Sequence, residues 1–440
     1  MKAFFGVFTL FGVMGCGGGT DTAPGDETGA ASMGSSAGAG GAEGGSAGAG
    51  GALGGSAGTG DEATGGAAGS PPTTFTLSVS VDGGGKVTST PAGITCGSSC
   101  QGTFPTGTQV QLVAKEEGGV LSGWGDACSG KSACSVTLGA DAHVSATFAP
   151  FNVGANAHGV AVTPDGTHAL VTLSENPGTL KVISLADGST VDSITVGSFP
   201  GAVAVTPDGT KAVVNNLNTV SVVTLATKAV ANVPSPCVGD TLYDIAVTPD
   251  GSSAVAAMFN GSCVTGTVTV ISLGSASIAN QYPVPGDLTG GIAIASDGSS
   301  ALVGHGILGT KVSRVALSGG AVTDITNTSA SFGITVTPDG SEALVASGDG
   351  DTIKRVSLAS NAMTGSIDYA ANEDPRNIAV TPDGTLAVAV GSFDVGVLSL
   401  ATGQVLKTFS TGGRSVAITR DGKRALVTLG STLRVYSLQL

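Results

Sequence analysis

The sequence predicts an all-β fold, and three observations support that prediction. An alternating apolar stretch followed by Thr-Pro-Asp-Gly or a close variant, and then by a second apolar run, recurs seven times between residues 159 and 430. The copies lie about 43 residues apart and contain only strand and turn signals. A third apolar run follows each copy, as in VSVVTLA from Val220. Repetition at this period predicts a seven-bladed β-propeller over residues 150–440.

The first copy shows how each unit forms a four-stranded antiparallel sheet. Alternation of apolar and small residues at 160–162 predicts a buried innermost strand. Pro-Asp-Gly at 164–166 predicts a hairpin, because proline presets φ and glycine accepts a positive φ. Runs at 168–173, 180–185 and 189–196 predict the second, third and fourth strands. Hairpin formation accounts for the recurring aspartate without a metal or catalytic role.

The innermost strands and the two ends of the repeat region support a ring. Six of the seven innermost strands have a central alanine, which suits strands crowded around an axis. The innermost strand of the fifth copy has Thr335 instead. The alanines are Ala161, Ala204, Ala246, Ala293, Ala379 and Ala417. The last copy has three strand signals before Leu440, and residues 147–153 could supply its fourth strand. Such pairing would close the ring and remove its free edges.

The repeat resembles a known family of propeller repeats. Residues 200–225 read PGAVAVTPDGTKAVVNNLNTVSVVTL. This stretch resembles the YVTN family, in which a Pro-Gly-x-Ala-Val-x-Pro-Asp-Gly strand precedes a Tyr-Val-Thr-Asn-like strand. The tetrapeptide has changed here to Val-Val-Asn-Asn at 213–216. The resemblance covers residues 150–440 and implies a seven-bladed propeller of secreted and cell-surface proteins, without a single family activity.

The N-terminus carries the pattern of an exported, lipid-anchored protein. Residues 1–16 read MKAFFGVFTLFGVMGC, with one lysine and an apolar run too short to span a bilayer. Residues 13–16 resemble a bacterial lipobox, which implies a lipoprotein signal peptide and lipidation at Cys16. An ordinary signal peptide with an incidental cysteine is the alternative. Gly17 in place of aspartate favours the outer membrane of a Gram-negative cell over retention at the inner membrane.

Two further segments separate the signal from the repeats. Residues 17–72 are mostly glycine, alanine and serine, which predicts a disordered linker. Residues 73–149 alternate like short strands and predict a small β domain. The stretches GGKVTSTPAGITCGSSCQGTFPTGTQVQLVA and GWGDACSGKSACSVTL resemble a divergent internalin-type B-repeat. That resemblance implies an extracellular spacer or adhesion module.

Six of the seven cysteines are expected to form disulfides. An exported chain meets an oxidising compartment, where disulfides are the default. The small domain holds Cys96, Cys100, Cys128 and Cys134, whose pairing stays open, and the repeat region holds Cys237 and Cys263. A zinc site is the alternative for the four small-domain thiols, although three and five intervening residues do not match the usual zinc spacings. Cys237 and Cys263 lie in loops of one propeller face, so they are expected to pair.

The residues just before the innermost strands are the candidate binding site. In a propeller these seven positions surround one opening of the central channel. They are His158, Gly201, Tyr243, Gly290, Phe332, Arg376 and Arg414, flanked by Asp244, Asn377 and Ser415. Two arginines, a histidine, a tyrosine and an aspartate could bind an anionic small molecule or a peptide carboxylate. The alternative is that loops at an opening are simply polar.

Charge and motifs restrict the possible functions. The net charge of −14 argues against nucleic-acid binding, which needs a basic surface. The chain has no nucleophile, phosphate-loop or metalloprotease motif, and we expect no metal or other cofactor and assign no catalytic residues. We therefore predict a non-catalytic binding or scaffolding module of a lipid-anchored cell-envelope protein, with a protein, peptide or glycan partner. The alternatives are a propeller hydrolase or lactonase using His158, Arg376 and Arg414, and a structural surface-coat protein.

Overall fold

The computed structural model describes most of the chain from the small domain onward. The described residues are 73–96, 99–235, 241–260, 263–286, 288–306, 309–328, 331–348, 351–369 and 374–439. The predicted signal peptide, Cys16, the predicted linker and Cys237 lie outside them. Cys263 and Tyr243 lie in described strands, but their side chains do not belong to the described part.

All regular elements of the described part are β-strands. The first eight strands are β1 (Thr74–Asp82), β2 (Gly85–Thr90), β3 (Thr95–Cys96), β4 (Ser99–Pro105), β5 (Gln109–Glu116), β6 (Val120–Asp126), β7 (Cys134–Thr137) and β8 (Ala142–Ala149). They form two four-stranded sheets, in the orders β4-β1-β8-β6 and β3-β2-β5-β7. Alternate residues of β1 and β5 are buried, so both sheets contribute to one core that contains Trp124 and Phe148.

The cysteine pairing of this region is resolved. Disulfides join Cys96 to Cys100 and Cys128 to Cys134, each with a Cα–Cα distance of 5.7 Å. The four sulfurs are thereby used, and the zinc alternative no longer applies to them. The predicted pair of Cys237 and Cys263 stays a prediction.

The remaining strands form seven successive four-stranded sheets. Strand β9 (Phe151–Asn152) precedes the first of them. The first three sheets hold β10 (Ala157–Val162), β11 (His168–Leu173), β12 (Gly178–Ser184), β13 (Thr190–Val196); β14 (Val203–Val205), β15 (Lys211–Asn216), β16 (Thr219–Thr224), β17 (Ala229–Pro234); β18 (Thr241–Val247), β19 (Ser253–Asn260), β20 (Cys263–Ser272) and β21 (Ser277–Val284). The next three hold β22 (Ile292–Ile294), β23 (Ser300–Gly304), β24 (Lys311–Ala316), β25 (Val322–Thr326); β26 (Ser331–Val336), β27 (Glu342–Ser347), β28 (Thr352–Ser357), β29 (Ala362–Asp368); β30 (Asn377–Val380), β31 (Leu386–Val390), β32 (Val395–Ser399) and β33 (Gln404–Phe409). The last sheet holds β34 (Val416–Ile418), β35 (Arg424–Leu429), β36 (Thr432–Ser437) and β9.

The first six of these sheets are antiparallel meanders, the last sheet adds β9 antiparallel to β36, and the fold is propeller-like and all-β. In the first sheet the registers pair Ala161 with Leu170 and Thr172 with Leu180. The bounds of β11 match the predicted second strand, and β12 and β13 differ from prediction by one or two residues at their ends.

The last sheet takes its fourth strand from the start of the repeat region. Phe151 pairs with Leu433 and Asn152 with Thr432. The predicted segment 147–153 was too long, because residues 147–149 belong to β8 and pair with β6 of the small domain. Strand β9 therefore places two residues beside β36. The backbone then changes direction at Gly154, which has φ 102°.

Apolar cores lie between successive sheets. Residues of neighbouring sheets form one cluster at each of the six successive boundaries in the described part, as Leu170 of β11 packs with Val214 of β15. A further cluster joins the first and last sheets, where Val171 and Ile183 pack with Leu426 and Val435. Innermost strands of neighbouring sheets are in contact, and β34 also contacts β10.

The small β domain contacts the last sheet. The Gly118 N–H donates to the Val435 carbonyl at 2.9 Å, beside an antiparallel bridge between Glu117 and Tyr436. Glu117 also pairs with Lys407. Glu117 and Gly118 thus lie along the outer edge of β36, beyond the two residues of β36 that pair with β9.

Within the described residues, no helix is long and apolar enough to cross a membrane.

Candidate functional site

The seven positions before the innermost strands occupy equivalent places in their sheets. We call them the mouth positions: 158, 201, 243, 290, 332, 376 and 414. The N–H of four of them donates to the carbonyl of the second strand of the same sheet. These bonds are Gly201 to Asn215 at 2.9 Å, Gly290 to Gly304 at 3.2 Å, Arg376 to Val390 at 2.8 Å and Arg414 to Thr428 at 2.9 Å. The repeated backbone therefore sets the depth at which each side chain leaves its sheet.

Hydroxyl groups join mouth positions of neighbouring sheets. Thr172 Oγ1 donates to the Gly201 carbonyl, and Thr428 Oγ1 donates to the His158 carbonyl, each at 2.5 Å. The second of these bonds joins the last sheet to the first. The backbones of the first and second sheets also approach closely, since a β-carbon at Gly159 would lie 2.5 Å from the Gly201 carbonyl oxygen.

One cavity brings the predicted binding residues together. It has a volume of about 140 Å³, and described residues from each of the seven sheets line it. Its lining includes the predicted His158, Asp244, Arg376, Asn377 and Arg414, together with Ser415 and Phe332. We call this cavity the mouth cavity. Tyr243, the remaining predicted residue, lies next to Asp244, but its side chain is outside the described part.

The two arginines of the mouth cavity have no side-chain partner in the part of the chain that the structure describes. Both side chains are exposed, and within the described residues neither makes an ion pair or a side-chain hydrogen bond. The chain as a whole has a charge of −14. The local charge beside this opening is therefore positive although the net charge of the chain is negative. Two arginines without a partner in the described part are suited to bind an anion.

Burial makes His158 a neutral group at physiological pH. Burial and then the charge of Arg414 lower the pKa of His158 to about 4. Within the described part, no carboxylate accepts a hydrogen bond from its ring. A general base works best with a pKa near the working pH and with a group that orients it. His158 has neither property, which favours a binding role for it over a catalytic one.

Asp244 is the acidic group of the mouth cavity. Its Oδ1 accepts from the Ile245 N–H at 2.9 Å, and its Oδ2 accepts from the Ile292 N–H of the next sheet at 3.1 Å. Burial raises the pKa of Asp244 to about 6, against the lowering effect of these two bonds. Ser415 has the equivalent role between the last and first sheets, where its Oγ accepts from the Val160 N–H at 3.4 Å.

A larger cavity lies at the opposite, hairpin end of the sheets. It has a volume of about 910 Å³ and is lined by the fourth to sixth sheets. Its arginines are already occupied, since Arg355 pairs with Glu342 and Arg314 donates to the Leu358 carbonyl at 2.7 Å. The aspartates of the Thr-Pro-Asp-Gly turns there hold their own hairpins, as Asp339 Oδ1 accepts from Thr337 Oγ1 and the Ser341 N–H. This cavity is larger than the mouth cavity, but its arginines have partners and its turn aspartates accept hydrogen bonds from their own hairpins.

Sequence reasoning missed a buried polar chain in the fourth sheet. His305 Nε2 lies 2.7 Å from Ser313 Oγ, which donates to Asp324 Oδ1 at 2.6 Å. The serine stands between the histidine and the aspartate and is fully buried, so it cannot act as a nucleophile on a bound substrate. Asn216, Ser221 and Asn232 form the corresponding chain in the second sheet. The shared geometry identifies both chains as structural.

Comparisons with known proteins define the fold alone. No protein-family model matches the chain, and no curated protein matches it. Among solved structures, a chain of hydrazine synthase from Kuenenia stuttgartiensis superposes with a TM-score of 0.57 at 18% sequence identity. The match covers 65% of this chain and 96% of that one. At this identity the likeness extends to the propeller-like architecture alone.

Proposed function

We propose that this protein is a binding module whose ligand site is the mouth cavity of a closed, seven-bladed β-propeller. The single observation that carries the proposal is the meeting of a neutral histidine, a desolvated aspartate and two arginines without an ion pair among the described residues in one opening. The ligand class is an anion, a small molecule or peptide bearing a carboxylate, because free guanidinium groups bind carboxylates through paired hydrogen bonds.

Contacts between the first and last sheets support the closed ring. The fourth strand β9, the apolar cluster around Val171 and Val435, and the Thr428–His158 hydrogen bond all join the two ends of the repeat region. Seven sheets with a core at each boundary match the seven repeats of the sequence.

The cell-envelope setting rests on the N-terminal sequence. We propose that the lipobox at 13–16 directs lipidation of Cys16 and that residues 17–72 link the anchor to the folded part. A radiolabelled fatty acid should label the expressed protein and not its Cys16→Ser variant. Protease added to intact cells should then release the propeller if it faces outward, and should release it only after membrane opening if it faces the periplasm.

Binding is tested with purified protein and simple carboxylates. Citrate, succinate and acetate are titrated by calorimetry into the wild type and into the Arg376→Gln and Arg414→Gln variants. We expect at least one carboxylate to bind the wild type and to lose tenfold or more in affinity in each variant. Arg420→Gln is the matched control, since Arg420 lies in the hairpin turn of the last sheet. Absence of binding by every probe, or equal binding by all four proteins, would refute the anion site.

The catalytic and surface-coat alternatives give different results. A hydrolase or lactonase would turn over ester or lactone substrates and lose that activity in the His158→Ala variant while folding stays intact. A surface-coat protein would assemble into ordered arrays without a soluble ligand. The low pKa of His158 and the lack of a carboxylate partner for its ring among the described residues support the binding role over the catalytic one.

A further inference from the structure

We infer that the mouth cavity recognises a small zwitterion, with a carboxylate at Arg376 and Arg414 and an ammonium group at Asp244. This inference rests on the proposed function and adds the second charge of the ligand. A small amino acid, or another short molecule with an amine at one end and a carboxylate at the other, has this chemistry.

The charges of the mouth cavity are segregated. Arg376 and Arg414 come from the sixth and seventh sheets, whereas Asp244 comes from the third. In a closed ring of seven sheets, the third lies across the axis from the boundary between the sixth and seventh. The positive and negative sides of the mouth therefore face one another.

Between the two sides, the lining consists of small residues and of two larger side chains, His158 and Phe332. Gly159, Gly290 and Gly291 line the cavity with backbone, because a β-carbon at each would lie 2.1 to 2.6 Å from a carbonyl oxygen of the next sheet. The volume of about 140 Å³ is well below that of a cavity for a drug-sized ligand, which is about 300 Å³ or more. A short molecule or the charged end of a longer one fits this size.

Asp244 retains capacity for a ligand cation. A carboxylate has about four lone-pair positions, and two backbone N–H groups occupy one on each oxygen. Within the described residues, no lysine or arginine makes an ion pair with it. A desolvated carboxylate without a counter-ion is unfavourable in its ionised form, so a bound ammonium group would be stabilising.

Matched probes that differ only in the amine test the inference. The zwitterions are glycine, β-alanine, 4-aminobutyrate and 5-aminovalerate, and their partners are acetate, propionate, butyrate and valerate. Each pair is titrated by calorimetry at pH 7.5 into the wild type. We expect one chain length to bind at least tenfold more tightly as the zwitterion than as the simple carboxylate. The Asp244→Asn variant should lose this preference, and Arg420→Gln should keep it.

The outcomes separate this inference from the proposed function. Equal affinity of zwitterion and carboxylate at every length refutes the zwitterion and leaves the anion site in place. Failure of all eight probes, and of citrate and succinate, refutes both. Because Asp244→Asn loses one backbone hydrogen bond and could fold poorly, carbon-13 NMR of wild-type Asp244 gives a second readout. The bound zwitterion should lower the pKa of Asp244 below about 6, while the carboxylate should leave it unchanged or raise it.

Discussion

The recurring aspartate acts as an acceptor that fixes each hairpin. In the third sheet, Asp250 Oδ1 accepts from Thr248 Oγ1 at 2.5 Å and from the Ser252 N–H at 3.0 Å. The fourth sheet has Ala295 at the threonine position, yet its backbone bonds are the same. The threonine hydroxyl is thus an addition to a turn that forms without it.

Replacing Thr248 with alanine should convert the third-sheet turn into that of the fourth sheet. The Ser253 N–H would lose its side-chain acceptor at 3.1 Å, so the free energy of unfolding should fall by about 1 kcal/mol. The pKa of Asp250, which the Thr248 hydroxyl and the Ser252 backbone lower to about 2, should rise towards its ordinary value. Urea unfolding and carbon-13 NMR measure the two effects. An unchanged pKa would contradict this role of the hydroxyl.

The same hydrogen bonds should make the protein lose stability in acid. The pKa values of Asp165 and Asp250 are lowered to about 2, the largest cause being the hydrogen bond from the threonine, from about 3.9 in an unfolded chain. Their ionised forms therefore stabilise the fold above pH 4, and this stabilisation is lost as the pH falls from about 4 to about 2. Urea unfolding across this range should show the loss. Asp250→Asn, which keeps an acceptor oxygen but does not titrate, should reduce the pH dependence.

At the scale of the strand, basic side chains join neighbouring sheets at the hairpin end. Each reaches the carbonyl of the leucine that follows the third strand of the next sheet: Lys211 to Leu273, Arg314 to Leu358, Arg355 to Leu400 and Arg424 to Leu185. The last of these bonds runs from the seventh sheet to the first. The recurring leucine thus has a buried or half-buried side chain and a carbonyl that accepts from the preceding sheet.

These contacts show what could be predicted from sequence and what could not. The bounds of β11 were predictable because apolar alternation and a Pro-Asp-Gly turn are local signals. The mouth cavity was predictable because equivalent positions of a repeat converge at one axis. The partner of Arg424 lies 239 residues away, and no local pattern identifies it. The contact of Gly118 with β36 could not be predicted either, since it joins the small domain to the repeat region and no sequence pattern relates the two.

Removal of one such contact should weaken the boundary between two sheets. Arg314 donates to the Leu358 carbonyl at 2.7 Å and to Asn361 Oδ1 at 2.9 Å. Arg314→Met keeps the apolar stem and removes both bonds, together with the bond from Arg314 Nε to Ser300 Oγ at 2.8 Å within its own sheet, so the free energy of unfolding should fall by about 2 kcal/mol. Arg420→Met is the control, because its contact to the Pro164 carbonyl is exposed and 3.5 Å long. Equal losses in the two variants would show that the contact adds no specific stability.

At the scale of the whole molecule, the outer edge of β36 is covered by two separate parts of the chain. Strand β9 pairs with its first two residues, and residues 117–118 of the small domain contact Val435 and Tyr436. Tyr436 is fully buried, and its hydroxyl lies 2.6 Å from Thr411 Oγ1. The small domain therefore covers part of the edge of the sheet that contains both ends of the repeat region.

The proposed closure can be tested at Phe151, which lies between the first and last sheets. Phe151 is 7% exposed, packs in the cluster that joins them and lies against Gly188 of the first sheet. Phe151→Ala should lower the free energy of unfolding by about 3 kcal/mol or more through the cavity that it leaves. In a closed ring, hydrogen exchange should accelerate together in β10–β13 and β34–β36.

Phe409→Ala is the matched control for this test. Phe409 is 8% exposed and packs on Tyr436 with ring centroids 4.6 Å apart, at the boundary between the sixth and seventh sheets. Its removal should accelerate exchange in β30–β36 and leave β10–β13 unaffected at first. If Phe151→Ala also leaves the first sheet protected, then β9 contributes only to the last sheet and the ends of the repeat region are energetically independent. Coupled loss of protection in the first and last sheets is the behaviour that a ring without free edges requires.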